Sequence, residues 1–152
     1  MNWKLFKLNT FIFFKLPSAF WCGVRLKEIT SSTCVATVRE NWINKNPFQS
    51  IYFAVLAMGA ELTTGALVLQ EIRNSGQNCS MLVLNSKASF HKKAKGTIRF
   101  TCDTSGNLKD VLHKTITTGE GQTVLLKSHG VNKQGDVVCE MEFEWSIKLK
   151  NK

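Results

Sequence analysis

The clearest periodicity lies near the end of the chain. Within Asp136 to Leu149, Met141, Phe143, Trp145, Ile147 and Leu149 alternate with Glu140, Glu142, Glu144, Ser146 and Lys148. That is the two-residue period of a strand with one buried and one wet face. Gln122 to Val131 predicts the strand before it, and Asn132-Lys133-Gln134-Gly135 supplies the turn. Further upstream, Thr97 to Cys102 places Ile98, Phe100 and Cys102 inward. Lys95-Gly96 turns the chain into it from Ser80 to His91, where Leu82, Leu84, Ala88 and Phe90 are expected on one face. Phe20 to Ile29 and Thr33 to Trp42 predict two more strands around a Ser31-Ser32 turn.

Two other stretches carry a helical signal. Trp3, Leu5, Phe6, Leu8, Ile12, Phe13 and Leu16 fit a rough amphipathic helix that ends before Pro17. Lys15 and Pro17 interrupt the apolar run and no small-x-small site follows cleanly, so the segment is a poor signal peptide. A helix packed on the domain is the commoner outcome for such a pattern. The alternative is a membrane-surface helix with Lys4, Lys7 and Lys15 at the headgroups. Ile51 to Leu69 is nearly all apolar or small over nineteen residues, close to a membrane span. Glu61 stands at its centre, and a lone carboxylate at mid-bilayer is costly. The expectation is therefore a helix buried in protein, with no transmembrane segment. Ser50 is its expected N-cap and Ser75-Gly76 its stop. Asn107 to Thr118 is a short helix or an irregular crossover.

Strands segregated from helices imply an α+β domain with an antiparallel sheet. Its apolar face needs a cover, and the long helix is the obvious one. An antiparallel sheet wrapped around one long central helix is the hot-dog fold. The expected organisation is an N-terminal helical extension over residues 1–19 and a hot-dog domain over residues 20–150.

Composition adds limits. The chain has 152 residues, enough for one domain with its own core; 43% hydrophobic and 20% charged residues exclude a disordered chain. The net charge of +9 makes anionic partners plausible. Nucleic acid ranks last among them, because aromatic and basic residues do not interleave on one strand. The five cysteines form no CxxC pair and suit small core residues in a reduced, cytoplasmic setting. His91, His113 and His129 lie far apart with no HExxH, so no metal is expected. GxSxG, Walker-type and dinucleotide glycine patterns are absent.

Asn46-Pro47-Phe48-Gln49-Ser50-Ile51-Tyr52-Phe53-Ala54, continuing to Ala60-Glu61-Leu62-Thr63-Thr64-Gly65, resembles the helix region of hot-dog thioesterase-like proteins. The match is to an uncharacterised branch known mainly as a domain of unknown function. The likeness extends through Phe90-His91-Lys92-Lys93-Ala94-Lys95-Gly96 and ends in Phe143 to Lys148. Where well-studied members carry His-Gly-Gly, this chain has Tyr52-Phe53-Ala54. The resemblance implies acyl-CoA thioester hydrolysis by a dimer or a dimer of dimers. The CoA thioester is substrate or ligand, and no cofactor is involved. A helix-borne carboxylate serves as base or nucleophile, here Glu61. Backbone N–H groups at the helix start, here those of Tyr52 and Phe53, polarise the carbonyl. In one branch an Asn fifteen residues before the carboxylate places the water, and Asn46 has that spacing. The alternative is a non-catalytic acyl-CoA or lipid-binding module, favoured by the missing His-Gly-Gly.

Physical chemistry weighs these candidates independently. Glu61 among Ala57, Met58, Ala60, Leu62 and Gly65 is desolvated, which raises its pKa toward the range of a general base. Met58 is expected on the substrate side of the same helix. Thr64, directly after Thr63, can hold a water or bond back to the helix backbone. Lys92, Lys93 and Lys95, in a stretch without acids from Asn85 to Arg99, suit the phosphates of CoA. Equally, they suit a solvated strand end balanced by the Glu140-Glu142-Glu144 row.

Overall fold

A computed structural model describes residues 3–104 and 107–150, with side chains from Leu5 onward. The expected places of Trp3 on the apolar face of the first helix and of Lys4 on its charged face lie outside the described side chains. Helices α1 (Trp3–Lys15) and α2 (Pro17–Trp21) lead into strands β1 (Val24–Ile29) and β2 (Thr33–Arg39). A 3-10 turn (Trp42–Asn44) and the long helix α3 (Phe53–Ser75) follow. Then come β3 (Cys79–Phe90), β4 (Thr97–Asp103), α4 (Asn107–Thr118), β5 (Gln122–Val131) and β6 (Val137–Leu149). The six strands form one sheet in the order β1-β2-β4-β5-β6-β3, antiparallel at every step. α3 lies across β1, β2, β4 and β5, while α4 covers β5 and β6 beside it. This is the hot-dog fold.

The hydrophobic pattern accounts for the core. On β6, Met141, Phe143, Trp145 and Ile147 are buried against the helices, and Ile98, Phe100 and Cys102 do the same from β4. α3 is apolar and long enough to cross a membrane by length and composition, and in this fold the sheet takes that surface. Its central turns are buried nearly all round, from Gly59 to Val68, except at Glu61 and Ala66. Gly59 permits the close approach. A Cβ there would fall 2.7 Å from Val38 Cγ2 and 2.8 Å from Phe100 Cδ2, inside the contact limit of a packed core. Gly76 ends the helix in the left-handed conformation, with φ 69°.

Several local expectations give way. Pro17 opens α2 at its first turn, so Phe20 and Trp21 are helical and β1 starts only at Val24. β2 stops at Arg39, because Asn41 caps the 3-10 turn through a reciprocal bond with Asn44. Ser50 is not the cap of α3; Tyr52 holds that position without a side-chain bond. The Ser50 hydroxyl bonds Asn46 instead. On β3 the register slips between Val83 and Asn85. The extra residue, Leu84, puts Leu82 on the outer face opposite Ser146, while Ala88 and Phe90 face inward opposite Met141 and Cys139. The expected single row of Leu82, Leu84, Ala88 and Phe90 is therefore split.

The two sheet edges differ. Beside β1, Asn9 of α1 donates from Nδ2 to Leu26 O and accepts from Leu26 N at Oδ1, each at 3.0 Å. β3 forms the other edge, and from Asn85 to Phe90 it is exposed on both faces.

Candidate active site

Glu61 points from the middle of α3 into a cavity of ≈ 390 Å³ between α3 and α1. Leu8, Phe11 and Ile12 wall it from α1, Leu62 and Leu69 from α3, and Met81 from β3. Its size and apolar lining suit a small-molecule site. Among the described residues the Glu61 carboxylate has no hydrogen bond or ion pair. Burial raises its pKa above the usual carboxylate range, with no neighbouring cation to oppose it. A half-buried, unpartnered carboxylate is a reactive group in search of a proton donor or a water.

A second cavity, of ≈ 650 Å³, opens at the start of α3. Asn46, Phe53, Met58, Phe90, Lys92 and Lys93 line it. The Asn46 carboxamide organises the loop before the helix. Its Oδ1 accepts from the backbone N–H groups of Phe48 at 3.0 Å and Ser50 at 3.3 Å, and its Nδ2 donates to Ser50 Oγ at 3.1 Å. One Nδ2 hydrogen is left for another acceptor. At the helix start the Tyr52 N–H donates to Asn44 O at 2.8 Å, so it is withdrawn from the expected pair of carbonyl-polarising donors. Phe53 N–H remains, and Ala54 N–H joins it, because the first amides of a helix have no acceptor within it. The rings of Tyr52 and Phe53 stand 4.9 Å apart, and Phe53 meets Phe90 at 6.2 Å.

Thr64 does not face either cavity. It is fully buried, its hydroxyl donates to Glu61 O at 2.9 Å, and it accepts from Trp145 Nε1 at 3.0 Å. It holds the helix to β6 and leaves the list of reacting groups. Lys92 pairs with Asp136 at 2.8 Å, lowering that carboxyl's pKa. The acidic row on β6 is matched locally: His91 meets Glu140, Lys127 meets Glu142 and Asn85 donates to Glu144. Lys93 lines the second cavity with no partner among the described residues, and Lys95 lies outside it. Burial pushes the Cys34 and Cys102 thiols up to about 12 and Cys139 to about 11, so none of these three is a thiolate nucleophile at neutral pH. No group of three His, Cys, Asp or Glu suited to a metal occurs among the described residues.

The α1 wall and the distal end of the first cavity, at Gln70, Arg73 and Asn74, are not among the sequence candidates. A signal was present: Glu61, Gly65, Leu69 and Arg73 recur every four residues and so share one helix face.

A family model described as a domain of unknown function (DUF4442) matches residues 7–147. The chain belongs to that family. The DUF4442 span takes in α2 and most of α1 as well as the sheet and α3. No curated protein matches the chain. Among solved structures, it is similar to PA5026 of Pseudomonas aeruginosa, a protein of unknown function described as a probable thioesterase. That likeness has a TM-score of 0.82 and 20% identity and covers 95% of each chain. A Chlorobaculum tepidum protein of unknown function gives 0.82 and 18%, over 95% of this chain and 93% of that one. The Staphylococcus aureus thioesterase SAV0944 gives 0.69 and 15%, over 87% of this chain and 98% of that one. Two substituted forms of SAV0944 have crystal structures, one altered at a glutamine and one at a glutamate fifteen positions later. These likenesses show that this DUF4442 chain shares the hot-dog fold of those proteins.

Proposed function

We propose that this protein hydrolyses acyl-CoA thioesters as a homodimer. The observation that carries the reading is Glu61: unpartnered, desolvated, and set on an apolar cavity of ≈ 390 Å³ that suits an acyl chain. Ionised Glu61 takes a proton from water, and the resulting hydroxide attacks the thioester carbonyl carbon. The carbonyl oxygen gains the negative charge and accepts from Phe53 N–H and Ala54 N–H, at the positive end of α3. As the intermediate collapses the C–S bond breaks, and the CoA thiolate recovers the proton from Glu61. Asn46 offers its remaining Nδ2 hydrogen to the water or the carbonyl. The fifteen-residue interval from Asn46 to Glu61 matches the interval between the two residues altered in SAV0944.

One chain does not assemble this set. Glu61 lies eight residues beyond Phe53, roughly 12 Å along the helix, and opens on a different cavity from Asn46. A second copy across the open β3 edge supplies the missing half, so that Glu61 meets Asn46 of the partner subunit. Lys92 and Lys93, beside the helix start, take the CoA phosphates. The free cysteines, three of them buried, support a reduced, cytoplasmic setting.

A second reading, acyl-CoA binding without turnover, draws on the Tyr52 and Phe53 rings that crowd the helix start. Thiol release across a panel of acyl-CoAs, with wild type and Glu61→Gln, tests both. Turnover that vanishes in the variant supports hydrolysis. Saturable binding with no thiol release from wild type supports the second reading.

A further inference from the structure

α1 and α2 bury one side and, among the described residues, leave the other exposed. Ile12 is buried and Leu5 and Leu8 pack on the core. Phe6, Phe13 and Phe14 are exposed, as is Trp21 of α2, with Phe14 at 70% and Trp21 at 60%. Phe13, Phe14, Phe20 and Trp21 form one ring cluster: Phe13 meets Phe14 and Phe20 at 4.9 Å and Trp21 at 6.4 Å. The cluster is rigidly mounted. Arg25 stacks over Phe20 with its guanidinium carbon 3.5 Å from the ring centroid, and its Nη1 donates to Phe20 O at 2.6 Å.

The charge along this stretch of chain has one sign. From Met1 to Lys27 the chain has Lys4, Lys7, Lys15, Arg25 and Lys27, and no acidic residue precedes Glu28. A second copy is a poor cover for such a face, because a two-fold contact would set like charges against like charges. An anionic bilayer complements both parts at once. Phe and Trp rings settle at the headgroup–acyl boundary, and lysines meet the negative headgroups. We propose that the α1–α2 corner docks this protein on the surface of membranes bearing anionic lipids, with Phe14 and Trp21 as the inserted anchors. The inference does not depend on turnover. It places the α1-walled cavity directly beneath a lipid surface, since Leu8, Phe11 and Ile12 belong to the same helix.

Vesicle flotation tests it, with phosphatidylcholine alone and with about one-third phosphatidylserine, at low salt. Wild type should float with the anionic vesicles and at least ten times less with the neutral ones. The doubly substituted F14S/W21S chain should lose at least tenfold in anionic-vesicle binding, and Lys15→Glu alone should weaken it several-fold. Both changes fall on exposed side chains, and an unaltered circular dichroism melt certifies the fold. Wild type that stays unbound, or F14S/W21S that floats like wild type, overturns the proposal. So does sedimentation without lipid showing a self-association that F14S/W21S abolishes, because the face would then be a protein contact.

Discussion

The indole of Trp145 on β6 donates to the hydroxyl of Thr64 on α3 at 3.0 Å, and both residues are buried. The bond ties α3 to β6 three residues after Glu61, on the side of the helix away from both cavities. Thr64→Val removes the acceptor and leaves a buried indole N–H unpaired, at a cost of about 1–3 kcal/mol. Thermal melts should show that loss. Thiol release per folded molecule should stay near wild type, because the hydroxyl touches no substrate.

Glu61→Gln should lower kcat by about a hundredfold or more while the chain still folds. The pH dependence follows from the raised pKa. A base must be ionised, so wild-type kcat should climb with pH through a midpoint above the ordinary carboxylate value. Stability runs the other way. The folded state holds the proton more tightly than the unfolded one, so stability falls as pH rises from the ordinary Glu value to the raised one. The Gln variant should lack that decline, which denaturant titrations across the acidic range will register.

Neutralising Lys92, Lys93 and Lys95 together should raise KM for acyl-CoA and flatten its salt dependence, with kcat unchanged. Lys93 should dominate, since Lys92 already pairs with Asp136 and Lys95 stands outside the cavity. Single substitutions compared at two ionic strengths will rank them. Equal KM values for the triple variant and wild type would return all three to the solvated surface.

Light scattering at micromolar concentration should give twice the chain mass. Phe90→Asp places a charge on the open inner face of β3, where the side chain is 48% exposed. It should yield a folded monomer without thiol release. A wild-type monomer with full activity would remove the two-chain site.

Gly59→Ala should destabilise the chain by about 1–3 kcal/mol. The added methyl meets Val38 and Phe100, both buried, and overpacking there outweighs the gain in helix propensity. Chemical denaturation would show a lower midpoint with an unchanged slope.

The parts legible in the sequence are those where one physical preference acts alone. β6 alternates from Cys139 to Ile147 because one face is covered over that stretch, and β5 has the expected ends. Glu61 stands out because a carboxylate at the centre of an apolar helix is rare. Competing preferences hid the rest. Nothing in the local pattern of β3 marks Leu84 as the residue that slips, since the bulge answers to the register of β6. Ser50 has the chemistry of a cap, yet Asn46 takes its hydroxyl and the helix begins three residues later. The Tyr52 amide is engaged by Asn44, a contact set by the path of the loop. The α1 wall needed the tertiary fold, because no sequence spacing relates Leu8 to Glu61.

Asn9 has a consequence for how many copies can join. Its carboxamide occupies both backbone groups of Leu26, so on that flank a side chain already stands where an incoming strand would bond. Among the described residues the opposite flank has no such plug. A sheet that accepts a neighbour on one side only cannot grow into a ribbon: two copies meeting through β3 would present Asn9 at both outer ends, and addition would stop there. Asn9→Ala is thus the substitution by which a closed pair acquires a route to open-ended, fibre-like growth.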